Sequence, residues 1–176
     1  MPPNFAKYIE LVADAELKQA FDDSDRQLYE LDKEPLKKLG DQRYAPGKWT
    51  VKDILQHLAD SDRIMSYQAL MLARRDESVL QGFDQELHVK NANALRRTVD
   101  EMIEEIKVAR ASTISLFNSF DDEILLHKAI KWKYEISVLA MGFTIIGHQI
   151  HHLKLIEEKY FPLLQTTPAK SSSTSQ

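Results

Sequence analysis

The chain contains no cysteine. That absence excludes disulfides, thiolate-ligated zinc, iron–sulfur clusters and a nucleophilic thiolate supplied by the protein, so any metal must be held through nitrogen and oxygen. Glycine and proline are scarce, 5 and 6 in 176 residues, which leaves few turns and predicts long helices. No long apolar run is free of polar residues, and Met1-Pro2-Pro3-Asn4-Phe5 lacks the basic and apolar stretches of a secretory signal. A cytoplasmic protein without a membrane partner is expected. There is no excess of basic residues either: 23 Lys and Arg against 27 Asp and Glu give a net charge of -4. Without a concentrated cationic surface to neutralise phosphates, nucleic acid is not an expected partner.

What is present is a composition of ordinary globular type, at a length that suits one buried core rather than two. Helical spacing runs from about Ala6 to Leu31 through Tyr8, Leu11, Ala15, Leu17, Phe21 and Leu28, with a break expected near Asp22-Asp23-Ser24-Asp25. Pro35, Gly40, Pro46 and Gly47 read as a connecting loop. Thr50 and Asp53 make a short-armed capping box for a second helix from Val51 to about Arg74, with Ile54, Leu58, Met65 and Leu72 on its apolar stripe. Residues from about Asp76 to Ala94 show no sustained period and read as a long loop, of a length that is often functional. A third helix is expected from about Leu95 to Phe120. Between Glu123 and Glu135, Leu125, Lys128, Ile130, Trp132 and Tyr134 predict a short hairpin or an irregular connection.

The fourth helix, about Ile136 to Tyr160, is apolar on two faces. Leu139, Phe143, Ile146, Ile150 and Leu153 lie on one, and Met141, Ile145, His148, His152 and Leu155 on the other. Such a helix is packed on two sides, centrally in a bundle or against a partner subunit. Pro162 ends it, and residues 165–176 form a Ser/Thr-rich tail expected to be disordered. The fold class is all-α.

Gly147-His148-Gln149-Ile150-His151-His152 on this helix carries the chemistry. Residues i and i+4 share a face, so His148 and His152 can direct ring nitrogens at one ion, although such a pair also arises by chance. Both interrupt an apolar stripe at one azimuth, where each unpartnered imidazole would cost on the order of 1–3 kcal/mol, a difficulty that a shared ion removes. The candidate third ligand is His57, in Gln56-His57-Leu58-Ala59-Asp60, at the edge of the second helix's core stripe on one side with Ser61, Ile64 and Gln68. Three histidines with open coordination positions are an arrangement that catalytic metals use. Imidazole suits zinc, nickel and ferrous iron alike, so the ligand set does not name the ion.

Other residues have narrower expectations. His88 and His127 lie in irregular segments without a partner at ligand spacing, and His151 is turned off the His148/His152 line. Gln149 stands where the zinc proteases with an H-E-x-x-H motif place their general base. An amide cannot take a proton from water, which disfavours that chemistry. Asp60 is a candidate to orient a ligand imidazole, whereas Asp62 is expected to solvate its helix. Met141 and Ile145 share the azimuth of His148 and His152 and are pocket candidates. The long loop near Gly82 to Asp84 and the Arg63 or Arg74 side chains are candidates to orient a substrate, and Arg74 and Arg75 also suit a helix C-terminus as plain charges.

The segment Lys48-Trp49-Thr50-Val51-Lys52-Asp53-Ile54-Leu55-Gln56-His57-Leu58-Ala59-Asp60-Ser61, followed far downstream by Gly147-His148-Gln149-Ile150-His151-His152-Leu153, resembles the DinB/YfiT-like superfamily. Ala69-Leu70-Met71-Leu72-Ala73-Arg74-Arg75-Asp76 and Gly82-Phe83-Asp84 resemble it as well, so that the likeness spans Tyr44 to Tyr160. It implies an up-down four-helix bundle occupying residues 1–164, with the long loop between helices 2 and 3 and the hairpin or irregular connection before the last helix. It also implies a homodimer, and a divalent ion bound by one histidine of the second helix and two of the last, here His57, His148 and His152. Better-understood relatives are metal-dependent transferases of low-molecular-weight thiols such as bacillithiol and mycothiol, and many others are classed as metal-dependent hydrolases. The expected function is thiol transfer to a small-molecule substrate at the three-histidine site. Hydrolysis by activated water, or metal binding without turnover, are the alternatives.

Overall fold

The computed structural model describes residues 3–12, 14–131 and 133–165. Four long helices form its body: α2 (Leu17–Glu30), α4 (Val51–Ala73), α6 (Val99–Phe117) and α8 (Val138–Lys159). Short elements fill the connections: α1 (Pro3–Ile9), α3 (Lys33–Leu39), α5 (Gln85–Asn91), α7 (Asp122–Leu126), the antiparallel strands β1 (Lys128–Lys131) and β2 (Tyr134–Ser137), and α9 (Phe161–Gln165).

The starts of the long helices are written locally. Thr50 Oγ1 accepts from the Asp53 amide while Asp53 Oδ2 accepts from the Thr50 amide, closing the expected capping box of α4. The same device at Thr98 and Glu101 starts α6. That helix was expected from Leu95, but residues 94–96 form a separate 3₁₀ turn first. In the N-terminal region the break falls between Ile9 and Leu17 rather than at Asp22–Asp25, because Ser24 is buried among the long helices and α2 continues through it. The expected loop after Leu31 contains α3, for which Asp32 supplies the cap by accepting from the Glu34 amide. Pro35 is tolerated there because a first-turn nitrogen has no intrahelical partner to lose.

Cross-helix pairs give the directions. Lys52 reaches the Leu95 carbonyl, Asp62 meets Arg110, and Arg75 meets Glu123, so α4 and α6 run parallel. His57 meets His148 and His152 while Met65 lies near Ile145, so α8 runs antiparallel to α4. Ser24 pairs with Arg110, and Lys107 lies over Tyr29, which sets α2 antiparallel to α6. The four-helix bundle is therefore wound up, down, down, up, a refinement of strict alternation. Parallel neighbours cannot be joined by a tight turn. The chain after α4 must travel back along a helix of about 34 Å, and this is why the connection from Arg74 to Thr98 is long.

The hairpin before α8 is present, with Ile130 opposite Glu135; Trp132, at its turn, lies outside the described residues. Two apolar clusters fill the bundle. One is built on Leu55, Ile103, Ile106 and Ile156, the other on Phe21, Leu72, Met141 and Ile145. The second apolar face of α8 is met by α1, which packs along it. The last helix stops at Lys159, Pro162 falls in the first turn of α9, and α9 extends to Gln165. The rest of the expected tail, 166–176, lies outside the described residues.

Candidate metal centre

The capping box fixes where α4 begins and hence which of its faces points inward. His57, two turns along, lands on the face toward α8 and is buried. On α8, the i, i+4 spacing stacks His148 and His152 on the face toward α4, and both are buried. Gly147 lets α1 close over this region. A Cβ there would sit 1.9 Å from the Tyr8 carbonyl oxygen, so only glycine admits the backbone of α1 at that point.

The three imidazoles converge through their Nε2 atoms. His57 Nε2 and His152 Nε2 are each 3.1 Å from His148 Nε2, and one ligand atom from each ring lies within 4.8 Å of the others. A neutral imidazole nitrogen offers one proton or one lone pair, so His148 Nε2 satisfies at most one of these contacts as a hydrogen bond. Two nitrogens bound at 2.0–2.1 Å to a tetrahedral ion stand about 3.4 Å apart, close to the spacing seen here. The donor set therefore fits a divalent ion.

The electrostatics agree. Burial, together with the neighbouring imidazoles, lowers the His57 pKa to about 4 and that of His152 to about 3, and pushes His148 well below the ordinary range. For His57 the imidazole adding to burial is His88, in α5. Rings held neutral near pH 7 are in the ligand form. With Nε2 turned inward, His57 Nδ1 is left to Ser61 Oγ at 3.3 Å, a hydrogen bond that holds the ring's orientation. His152 Nδ1 is buried without a hydrogen-bond partner among the described residues.

Of the residues expected around the centre, Ser61 and Gln68 line the pocket that opens onto His57 and His148. The others do not. Asp60 accepts from Gln56 and has no contact with an imidazole, because it lies off the His57 azimuth. Arg63 turns outward to Glu105. Ile64 is partly buried and is not part of the pocket lining. Met141 and Ile145 are core residues, packed below the histidines rather than beside an opening. Asp62 does not solvate its helix: it is buried and paired with Arg110 at 2.8 Å, with Thr113 on its other oxygen. Arg74 lies over the Phe120 ring and Arg75 pairs with Glu123, both at the far end of α4. Gln149 turns away from the centre and donates to the Ser24 carbonyl and to Gln27.

Four aromatic residues stand at the centre, of which only Phe83 lay in a segment expected to meet a substrate, the loop near Gly82 to Asp84. Trp49 lies 4.9 Å from His57 and stacks near-parallel on His152 at 6.4 Å, ring centre to ring centre. It is held by a hydrogen bond from its indole to Glu86, and its carbonyl accepts from the Tyr160 hydroxyl. Phe83, from the loop before α5, stands 6.4 Å from His57, and Tyr8 sits edge-on to His148 at 5.2 Å. Phe5 completes the wall from α1. For Tyr8 and Phe5 the signal that could have been read is Gly147, which marks a close backbone approach without naming the partner.

A bundle whose antiparallel helices α4 and α8 bring three neutral histidines together under a pocket defines a metal-binding helical class. The chain belongs to the DinB superfamily, whose family model matches residues 4–156. Among solved structures it is similar to YfiT from Bacillus subtilis, described as a probable metal-dependent hydrolase with an unusual four-helix bundle topology. The identity is 15%, the TM-score 0.66, and the match covers 90% of this chain and 87% of that one. No functionally curated protein matches the chain. Among the described residues no helix is long and apolar enough to cross a membrane.

Proposed function

We propose that this protein is a metal-dependent S-transferase, in which His57, His148 and His152 hold a divalent ion and a low-molecular-weight thiol is the nucleophile. The convergence of three Nε2 atoms beneath an open pocket carries the metal assignment. A divalent ion bound there would lower the pKa of a coordinated nucleophile and polarise the electrophile. The chain's own groups favour a thiol. Among the described residues no aspartate or glutamate lines the pocket to take a proton from water, and Asp60 and Asp62 are engaged elsewhere. A thiol, with an ordinary pKa of about 8.5, needs far less help to ionise than water does. Ser61 orients His57, and Trp49 and Phe83 shield the imidazoles from bulk water on two sides. A hydrolase is the second reading, favoured by the description of YfiT.

Metal analysis of the tag-free protein tests the first part. One ion per chain in the wild type and its loss in His57→Ala, His148→Ala and His152→Ala is the expected result, and full retention in all three overturns the assignment. Turnover of an electrophile that requires added thiol supports the transferase. Ester cleavage without thiol moves the assignment to the hydrolase, and a loaded protein with neither activity leaves a metal-binding bundle without turnover.

A further inference from the structure

The pocket over the histidines has a volume of about 360 Å³, enough for a small organic molecule. Its walls are Phe5, Tyr8, Met65 and Phe83, and the polar groups added to the histidines and Ser61 are the amides of Gln68 and Gln85. Gln68 is already committed, donating to the Gln81 carbonyl at 3.1 Å. Among the described residues no lysine, arginine, aspartate or glutamate lines the space.

The charged side chains close by in the fold are not part of this lining and have partners of their own. Arg63 and Arg97 both engage Glu105, the Asp62 carboxylate is held by Arg110, and the Lys7 ammonium lies over the Tyr8 ring at 4.8 Å. A carboxylate- or phosphate-bearing body entering here would lose water and find no guanidinium or ammonium in the wall, and only the ion, which the reacting group occupies, could compensate it. A cationic body would also lose water and meet the charge of the ion. An uncharged body loses neither, and rings from two separate elements, Tyr8 of α1 and Phe83 of the covering loop, stand ready to pack against it.

We propose that the electrophilic substrate of this site is uncharged and carries an aryl or compact aliphatic group next to its reacting atom, seated against Phe83 and Tyr8. This rests on the metal assignment above and names the substrate class for it. It also divides the labour: the histidines select the reacting group, and the apolar wall selects the body behind it.

The test holds the metal-binding group constant and varies the body. Zinc-loaded protein is titrated calorimetrically with acetohydroxamate, benzohydroxamate and the monohydroxamate of succinate. Benzohydroxamate is expected to bind about tenfold tighter than acetohydroxamate, and the anionic succinyl compound no tighter than acetohydroxamate. Phe83→Ala, on a loop and away from the bundle core, is expected to bring the aryl preference down to about twofold, by weakening benzohydroxamate binding more than acetohydroxamate binding, and to retain zinc. Gln85→Arg, at an exposed position on the rim, is expected to raise affinity for the succinyl compound several-fold. Equal affinity for the aryl and methyl compounds, or a preference of the wild type for the succinyl one, overturns the proposal while the metal assignment stands. If the wild type binds neither zinc, nickel nor ferrous iron, the metal assignment fails. The pocket is then read in the metal-free protein by saturation-transfer NMR: contact with benzyl alcohol that is lost in Phe83→Ala supports the apolar wall, and contact with benzoate alone, or with neither, overturns it.

Discussion

Two polar clusters lie in the interior of this bundle, less than two turns apart on α4, and they are built on opposite principles. Around Asp62, each charged group has its partner: Arg110 Nε donates to one carboxylate oxygen, Thr113 to the other, and Arg110 also reaches Ser24. That cluster ties α2, α4 and α6 together and needs nothing from outside. Around His57 the groups are neutral, meet nitrogen to nitrogen, and leave His152 Nδ1 without a hydrogen-bond partner among the described residues. A closed network holds the fold together. An open set of converging acceptors marks the place where the molecule is completed by something it binds.

The largest expected effect of a single substitution breaks the closed cluster. Asp62→Ala leaves the buried Arg110 guanidinium uncompensated and should cost about 3–5 kcal/mol, read from urea unfolding. His148→Ala in metal-free protein should cost clearly less, since it removes a neutral ring; an equal loss would erase the contrast. Next comes acid. In the unfolded chain the imidazoles titrate near 6.5, whereas His57 and His152 in the folded state do so at about 4 and about 3. Between those values the unfolded state binds more protons. Stability of the metal-free protein is therefore full above pH ~6.5 and falls as pH drops through the folded values, by about 3 kcal/mol from His57 alone. Thermal unfolding from pH 7.5 to 4 checks this, and a flat profile would show that the rings are not held neutral.

A smaller effect concerns the cover over the histidines. Gly147→Ala drives a Cβ into the Tyr8 carbonyl and should cost about 1–3 kcal/mol through displacement of α1, with amide exchange in residues 3–9 rising above that in α4. The smallest sharpens the open cluster alone: Ser61→Ala removes the partner of His57 Nδ1 and should weaken metal affinity by about 10- to 100-fold. Its effect on unfolding of the metal-free protein should stay under about 1 kcal/mol. A stability loss as large as that of Asp62→Ala would place Ser61 with the closed cluster instead.

Much of the site was legible because it is local. Thr50 and Asp53 set the start of α4, that start sets the azimuth of His57, and the i, i+4 spacing sets His148 against His152. The resemblance in the two histidine segments then joined what lies 91 residues apart in His57 and His148. Asp62 was misread because a charged residue on a long helix usually meets water, and its partner Arg110 comes from a helix whose placement periodicity does not specify. Met141 and Ile145 share an azimuth with the histidines, but one or two turns along α8 that azimuth meets the core instead of an opening. Trp49 and Tyr8 were invisible as site residues for the same reason: an aromatic side chain carries no mark of which pocket it will wall.

What the sequence determined by itself was therefore what depends on neighbours along the chain: all-helical character, the capped start of α4 at Thr50, and a histidine pair aimed in one direction. The tertiary structure alone decided what depends on neighbours across space. It set α4 parallel to α6, because the crossover can run back along the bundle. It also closed α1 over Gly147 and separated a self-sufficient charge cluster from a neutral, unfinished one. Helix periodicity fixes the direction in which a side chain leaves its own axis, but only packing fixes which side chain or solvent it meets there.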